Sequence, residues 1–264
     1  MNYQLAFPPT LHGTIILPAS KSISARALVM GALAGNCHLS NLSDCDDTRV
    51  LRRALEERRP EIDIMAAGTA MRFSTAYFAT CPGETHVITG TERMQQRPIK
   101  VLVDALRLLG ADIEYVGNEG YPPLRIKGKT LAGGEVALPA NVSSQYISAL
   151  LMIGPTLQQG LRLHLIGEVV SRPYIDMTLG LMKEFGAKAQ WTSEQELYVA
   201  PHPYTQGMDF CGTRLERRFL LVRMYGAHPR QRCPHHPSRS PREQLARRQR
   251  GVPSVPPTGS RYPF

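Results

Sequence analysis

The sequence has few of the features that mark secreted and membrane proteins. Its five cysteines are odd in number and scattered, and none forms a Cys-x-x-Cys pair, which favours reduced thiols over a disulfide framework. No stretch approaches the roughly 20 consecutive apolar residues that a membrane-spanning helix needs. The opening residues, MNYQLAFPP, lack the basic start and apolar run of a secretory signal. We therefore expect a cytoplasmic protein with no membrane segment.

Acidic residues are nearly missing from the end of the chain. The whole chain has 31 Lys and Arg against 22 Asp and Glu, a formal charge of +9. Residues 211–264 contain twelve Arg, no Lys and two acidic residues, a charge of +10, so residues 1–210 carry −1. The basic excess therefore does not indicate nucleic-acid binding by the main body. Binding of nucleic acid through this tail is an alternative, although the tail has few aromatic residues and no known module.

The rest of the chain has the composition and patterning of a globular α/β protein. It has 264 residues, 42% hydrophobic and 20% charged, enough for one large domain or two ordinary ones. Short β-rich runs alternate with amphipathic helical runs over residues 1–210. The pattern predicts strands at residues 13–18, 86–90 and 111–116, and helices at residues 20–35, 46–59, 68–80 and 99–110.

Two short patterns each occur twice, in the same order. Gly13-x-Ile-x-Leu-Pro-Ala19 recurs as Gly134-x-Val-x-Leu-Pro-Ala140, and each copy leads into a Ser-rich helix start. An Arg-Pro pair, at 97–98 and again at 172–173, precedes a helix that ends in Gly-Ala and is followed by a strand. The interleaved repeats predict an internally duplicated α/β domain.

The helix starts in these repeats carry side chains suited to anions. A helix N-terminus offers free backbone N–H groups and the positive end of the helix dipole. The candidate residues are Lys21, Ser22, Arg26, Gly68, Arg97, Ser143, Ser144, Gln145, Ser171 and Tyr174. Taken singly, the serines could be helix N-caps and the arginines surface charges. Together they predict a pocket of convergent helix starts for a small, multiply anionic substrate.

Five segments appear in an order that resembles a known family. They are Pro18–Arg26, Ala67–Arg72, Arg93–Ile99, Ser143–Gln145 and Ser171–Asp176. They resemble the signature of the 3-phosphoshikimate 1-carboxyvinyltransferases (EPSP synthases), which act in the shikimate route to chorismate and the aromatic amino acids. The sister family that acts on UDP-N-acetylglucosamine shares the fold. That family usually carries Lys-Asn where this chain has Lys21-Ser22, so it fits less well.

The resemblance implies a fold and an activity. The family has two domains of repeated βαβαββ units, an inside-out α/β barrel, with the substrates in the cleft between them. Residues 21–210 would form the first domain nearly completely, and residues 1–20 would belong with the second. The implied reaction transfers the enolpyruvyl group of phosphoenolpyruvate to the 5-hydroxyl of shikimate 3-phosphate. It needs cations around both phosphates and an acid–base pair, but no metal or organic cofactor. We expect a monomer.

The resemblance also implies a role for each matching residue. Shikimate 3-phosphate would be bound by Lys21, Ser22, Arg26, Ser143, Ser144, Gln145, Ser171 and Tyr174. Phosphoenolpyruvate would be bound by Lys21, Gly68, Arg97 and Gln145, with Lys21 as the catalytic residue. One position departs from the family. Ala66 stands where the family often has Asn, two residues before Gly68, and this removes a contact to the ligand.

The resemblance stops after Asp209-Phe210. The family's second domain supplies an acidic base, a Glu, a Lys and two Arg to the cleft, and none of those motifs follows here. One choice of codons for CGTRLERRFLLV, the next twelve residues, reads VEPDWSAASY-W one base later, which is the continuation typical of the family. We therefore hypothesise that residues 211–264 are a frameshifted translation of the second domain.

This hypothesis affects both the structure and the activity that we expect. The tail has eight prolines and few large apolar residues, so we expect it to be disordered. Without a second domain the transferase activity would be impaired. A fragment that only binds shikimate 3-phosphate is therefore an alternative to an active enzyme.

Overall fold

The computed structural model describes residues 18–211, which belong to one compact unit of the chain. Residues 1–17 and 212–264 lie outside this description. The strand predicted at residues 13–18 is therefore almost wholly outside the described residues. The predictions of disorder and of a shifted reading frame for the tail fall there too, apart from Cys211.

The described residues form helices and strands in alternation. The helices are α1 (Lys21–Ala34), α2 (Asp46–Glu57), α3 (Gly68–Ala79), α4 (Glu92–Gln95), α5 (Lys100–Leu108), α6 (Ser144–Ile153), a 3₁₀ turn (Gly154–Thr156) and α7 (Arg172–Glu184). The strands are β1 (His38–Ser40), β2 (Glu61–Asp63), β3 (Thr85–Thr89), β4 (Asp112–Tyr115), β5 (Leu124–Lys127), β6 (Gly134–Pro139), β7 (Leu161–Ile166), β8 (Ala189–Trp191), β9 (Glu196–Val199) and β10 (Asp209–Cys211). None of the helices in this part of the chain is both long and apolar enough to cross a membrane.

The residues that bound α1 explain where it begins and ends. The Ser20 side chain accepts a hydrogen bond from the backbone N–H of Ile23 at 3.4 Å and so caps the N-terminus. Gly35 adopts a φ of +70° and donates its N–H to the Gly31 carbonyl at 3.0 Å, which closes the last turn. The predicted limits at residues 20 and 35 are confirmed.

Two four-stranded sheets repeat the same arrangement. One has the strand order β2-β3-β5-β4 and the other β6-β7-β9-β8. In each sheet the first pair of strands is parallel and the other two pairs are antiparallel. Helices α3 and α5 connect the strands of the first sheet, and α6 and α7 connect those of the second. Apart from the short α4, each set is a βαβαββ unit, which confirms the predicted duplication and fold class.

A third, smaller sheet joins two strands that lie far apart along the described chain. Strand β10 pairs in parallel with β1, in the register His38 with Asp209 and Leu39 with Phe210. Helix α1 precedes β1 and α2 follows it, just as α3 and α5 flank β3 and as α6 and α7 flank β7. The arrangement therefore resembles a third unit, in which β10, from the C-terminal end of the described residues, takes the place of the first strand.

The helices fall into an inner and an outer set. The inner helices α1, α3 and α6 contact one another, and all twelve residues of α3 are buried. The outer helices α2, α5 and α7 each bury one face only. In α2, for example, the buried residues are Thr48, Leu51, Ala54 and Leu55, at the spacing of a single helical face. The core therefore surrounds three apolar helices, and the first helix of each unit is the most buried.

Gly128 lies where the end of β5 meets the end of α3. A Cβ at this position would lie 2.0 Å from the carbonyl oxygen of Cys81 and 2.6 Å from that of Phe78. These are backbone atoms, which cannot turn aside as a side chain can. We expect Gly128→Ala to lower the free energy of unfolding by about 1–3 kcal/mol, measured by urea denaturation.

Gly117→Ala is the matched control, because its Cβ would meet only Pro123 Cδ at 3.8 Å. That variant should change the free energy of unfolding by less than about 0.5 kcal/mol. Equal stability of the two variants would contradict the close approach of strand and helix at Gly128.

Candidate functional site

The starts of several helices meet at one end of the domain. Gln145 at the start of α6 donates from Nε2 to the Thr69 hydroxyl at the start of α3, at 3.1 Å. Arg26, in the second turn of α1, donates to side chains of α6 and α7. A Cβ on Gly68 would lie 2.5 Å from Nη1 of Arg97, so the segment before α5 reaches the same place. The predicted convergence of helix starts is therefore present.

Lys21 is exposed and is held by a carboxylate at the start of α2. Its Nζ lies 2.8 Å from Oδ2 of Asp47, and the two side chains are 48% and 23% exposed. Asp47 lies in the first turn of α2, where the helix dipole favours a negative charge. The pair brings the start of α2 to the same end of the domain and limits where the ammonium group can lie.

The serines differ in what they do for their own helices. Ser143 is an N-cap, since its Oγ accepts the backbone N–H of Gln145 at 3.3 Å. Ser22 is not a cap, because Ser20 fills that position. Ser171 stands at the cap position of α7 but makes no side-chain cap bond to the helix. Of these three serines, only Ser143 therefore acts as a helix N-cap, which was the alternative to a role in binding.

Ser144 and Tyr174 complete the predicted set at the starts of α6 and α7. Ser144 is the first residue of α6 and is partly exposed. Tyr174 lies in the first turn of α7 and is 47% exposed. The Tyr174 side chain interacts electrostatically with Arg26, whereas no hydrogen bond within residues 18–211 joins the Ser144 side chain to another predicted residue. Their helices, however, are joined through Arg26.

A layer of buried polar residues lies beneath these helix starts. Arg26, Arg72, Ser148 and Thr178 are 2%, 6%, 0% and 0% exposed. Each follows a predicted site residue by four positions (Ser22, Gly68, Ser144 and Tyr174, in that order), which is one turn further along the same face of the helix. The second turn of each helix therefore supports the turn that faces the site.

Arg26 is a buried cation and not a surface charge. Its Nε donates to the Thr178 hydroxyl at 2.8 Å, Nη2 to the Ser148 hydroxyl at 2.8 Å, and Nη1 to the Ser22 carbonyl at 3.0 Å. The guanidinium also lies 5.5 Å from the centre of the Phe73 ring. Burial lowers the pKa of Arg26 to about 10, so the group remains charged at neutral pH.

Arg72 is held in a similar way, and the sequence motif that contains it does not indicate its role. Its Nη1 donates to the Gly68 carbonyl at 2.9 Å, and Nη2 lies 3.5 Å from the Pro98 carbonyl. The guanidinium lies 5.8 Å from the Tyr146 ring. Within the described residues its Nε has no partner. Burial lowers the pKa of Arg72, and the nearby charge of Arg97 acts in the same direction.

The site has an excess of positive charge that the surrounding carboxylates do not balance. In residues 18–211, none of Arg26, Arg72 and Arg97 forms an ion pair. Arg26 and Arg72 are buried, and buried charge without a counter-ion is unfavourable. Helix N-termini add positive potential at the same place. The arrangement is therefore suited to bind an anion.

Two surface clefts open beside the helix starts and share Ala66. The larger, about 680 Å³, runs past Asp47 and Thr91, and the smaller, about 430 Å³, lies against Arg93 and Arg97. The methyl group of Ala66 gives both clefts an apolar point. Neither these clefts nor the rest of residues 18–211 hold three or more His, Cys, Asp or Glu placed to bind a metal ion.

Comparison with known sequences decides the family. The sequence profile of the family described as EPSP synthase (3-phosphoshikimate 1-carboxyvinyltransferase) matches residues 6–59 and 53–211. The chain belongs to the EPSP synthase family.

A relative from Bacteroides fragilis named 3-phosphoshikimate 1-carboxyvinyltransferase is 65% identical over 205 residues, which cover 77% of this chain and 50% of the relative. One of that name from Haemophilus influenzae is 40% identical over 232 residues, covering 74% and 53%. The chain spans about half the length of these EPSP synthases.

Solved structures agree on the fold. An EPSP synthase from Acinetobacter baumannii superposes with a TM-score of 0.66 at 21% identity, covering 75% of this chain and 49% of its own. The enolpyruvyl transferase NikO from Streptomyces tendae gives a TM-score of 0.51 at 14% identity, covering 76% and 52%. At such identities the likeness concerns the fold alone, and it confirms the repeated α/β units of the EPSP synthase fold.

Four residues at or beneath these helix starts were not singled out from the sequence. Three of them, Arg72, Ser148 and Thr178, could have been found by looking four positions beyond each helix-start candidate for a polar residue on the same face. The fourth, Asp47, is an ordinary acidic residue of a helix first turn. No local signal pairs it with Lys21, because α1 and α2 meet only through the fold.

Two thiols, Cys45 at the start of α2 and Cys81 just after the end of α3, differ in how readily they ionise. Partial burial opposes ionisation of Cys45, but hydrogen bonds with Ser43 and Thr48 and the charge of Lys21 lower the pKa of its thiol. Burial raises the pKa of Cys81 to about 11. Because the thiolate is the nucleophile, we expect iodoacetamide to label Cys45 at least about tenfold faster than Cys81 near pH 8.

Peptide-resolved mass spectrometry of the labelled chain measures both rates. Cys45→Ser should leave the slow labelling of Cys81 unchanged. Faster labelling of Cys81 in the folded protein would contradict the environments described for these thiols.

Proposed function

We propose that the chain binds shikimate 3-phosphate and phosphoenolpyruvate at the joined helix starts and takes part in the EPSP synthase reaction. The observation that carries this proposal is the group of three guanidiniums, of Arg26, Arg72 and Arg97, with no carboxylate partner in residues 18–211. Both substrates carry a phosphate and a carboxylate. A site with unbalanced cations and several helix N-termini suits ligands of that charge.

Shikimate 3-phosphate would occupy the side of the site formed by α1, α6 and α7. The residues proposed to bind it are Lys21, Ser22, Arg26, Ser143, Ser144, Gln145, Ser171 and Tyr174. The Ser171 hydroxyl supports this placement, since it makes no cap bond to α7. Arg26 uses three of its five N–H groups for protein oxygens, which leaves two for a substrate oxygen.

Phosphoenolpyruvate would lie at the start of α3, against Lys21, Gly68, Arg97 and Gln145. The absence of a side chain at Gly68 lets an anion approach the helix N-terminus closely, and Arg97 Nη1 already lies beside this position. Gln145 is bonded to Thr69, the next residue of α3. It is therefore placed between the two proposed substrate positions, which supports contact with both.

Lys21 is the proposed catalytic residue. In the reaction the 5-hydroxyl group loses its proton and its oxygen bonds to C2 of phosphoenolpyruvate, as the methylene group gains a proton, which gives a tetrahedral ketal. The bond from C2 to the phosphate oxygen then breaks and releases phosphate, and the methyl group loses a proton to restore the carbon–carbon double bond of the enolpyruvyl ether. An ammonium group beside the reacting centre stabilises the negative charge that these steps concentrate there. The ion pair with Asp47 keeps Nζ at the site between turnovers.

We also propose the domain limits that the family implies. Residues 21–210 would be the first domain of a cytoplasmic, monomeric transferase, and residues 1–20 would belong with the second. The pairing of β10 with β1 supports this limit to within one residue, because it places Asp209 and Phe210 within the first domain.

Titration calorimetry and a phosphate-release assay test the main proposal together. We expect shikimate 3-phosphate to bind the full 264-residue chain, with affinity that falls as salt rises because the contacts are ionic. Phosphate release that requires both substrates would show turnover. Binding without release would assign the chain the binding role alone, and no binding of either substrate would refute the proposal.

Two variants should separate the two substrate positions. We expect Arg97→Ala to weaken phosphoenolpyruvate binding by about tenfold or more while shikimate 3-phosphate binding stays within about threefold, since a charged hydrogen bond contributes roughly 1.5–3 kcal/mol. Ser171→Ala should do the reverse. Both are measured by calorimetry with each ligand, phosphoenolpyruvate in the presence of shikimate 3-phosphate.

Arg125→Ala is the control, because this arginine pairs with Glu114 on the sheet formed by β2–β5. It should leave both affinities unchanged. Parallel losses of both ligands in Arg97→Ala and Ser171→Ala would contradict the separate placement of the two substrates.

A further inference from the structure

Arg26, Ser148 and Thr178 form a closed hydrogen-bonded triangle between three helices. The Arg26 Nε and Nη2 groups donate to Thr178 and Ser148, both at 2.8 Å, and the two hydroxyl oxygens are 2.9 Å apart. Nε and Nη2 lie on one edge of the guanidinium, so the two hydroxyls receive its bidentate fork. Residues of α6 and α7 that have no predicted contact with a substrate therefore hold the side chain of α1.

The hydrogen positions in this triangle follow from the partners. Thr178 Oγ1 lies 2.8 Å from the carbonyl oxygen of Tyr174, which can only accept. Thr178 therefore donates to Tyr174, and Ser148 donates to Thr178. Both Thr178 lone pairs are then used, one by Ser148 and one by Arg26. The chain of donors has a single direction that ends on the backbone of Tyr174.

This cluster differs from an ordinary buried hydroxyl in a helix. Thr75 is also fully buried, and its hydroxyl donates to the Met71 carbonyl of its own helix at 2.7 Å. That bond satisfies a buried hydroxyl without help from another helix. Thr178 makes the same bond within α7 and, in addition, accepts from an arginine on α1. The additional bond fixes a charged group across a helix interface.

We propose that Ser148 and Thr178 are positioning residues, which orient the Arg26 guanidinium and the first turn of α7 for the anionic substrate. The inference rests on the proposed function, because it takes Arg26 and Tyr174 as contacts of shikimate 3-phosphate. Loss of either hydroxyl leaves a guanidinium N–H without its acceptor. The side chain then turns toward other oxygens, and its two remaining N–H groups no longer face the ligand.

The first experiment compares shikimate 3-phosphate affinity in four full-length proteins by calorimetry. Thr178→Val keeps the shape and removes the hydroxyl, and we expect the dissociation constant to rise at least about tenfold. Thr178→Ser restores the hydroxyl and should bring the constant back within about threefold of the wild type. Thr75→Val, which removes a buried hydroxyl that does not reach Arg26, should bind as the wild type does.

A double-mutant cycle separates positioning from a general effect on packing. In an Arg26→Lys background there is no guanidinium to donate to both hydroxyls. Thr178→Val should therefore weaken shikimate 3-phosphate binding by less than about twofold further. Ser148→Ala supplies a second cycle of the same design if Thr178→Val folds poorly. Full additivity in both cycles would overturn the proposal, as would weak binding by Thr178→Ser.

A measurement without ligand distinguishes failure of this inference from failure of the proposed function. The ¹⁵Nε–¹H NMR signal of Arg26, assigned by its loss in Arg26→Lys, should be protected from solvent exchange in the wild type and in Thr75→Val. It should lose that protection in Thr178→Val. Absence of shikimate 3-phosphate binding by the wild type would refute the proposed function and, with it, the positioning for that substrate. An equally protected signal in the wild type and Thr178→Val would refute the positioning alone.

Discussion

The arrangement of the site depends on a buried cation that neutral oxygens hold in place. Arg26 is 2% exposed and is bound by two hydroxyls and one carbonyl, from three helices. Burying a charge costs several kcal/mol even after the protein relaxes. Hydrogen bonds and the adjacent Phe73 ring offset part of that cost, but they add no negative charge. The folded domain therefore keeps a local positive potential, which an anionic ligand at the helix starts can neutralise.

The repeated units explain why the site lies where it does. Each unit sends its first helix into the core, so α1, α3 and α6 lie side by side with their starts at one end of the domain. The first turns face that end, and the second turns carry Arg26, Arg72 and Ser148 beneath it. Duplication of one βαβαββ unit thus brings several N-termini together, and a single N-terminus would bind an anion only weakly.

Much of the fold was predictable from local signals. Ser20 and Gly35 mark the ends of α1, and the repeats at residues 134–140 and 172–173 indicate the duplication. The short α4 and the pairing of β1 with β10 were not predicted. A four-residue helix has too few positions to show a period. The strands β1 and β10 have three residues each and are about 170 positions apart, so nothing near either one identifies its partner.

The sequence by itself determined the family and the helix starts, and it predicted which residues there bind anions, because helix caps and motif spacing act over a few residues. Only the tertiary structure decided which of these side chains are buried and which groups they contact. Arg26 could have been a surface charge, yet it is buried between Ser148 and Thr178, and Lys21 is held by Asp47. The physical reason is that burial and partner choice are set by contacts between helices that are far apart along the chain. A side chain's local sequence specifies its chemistry but not the oxygens that fold against it.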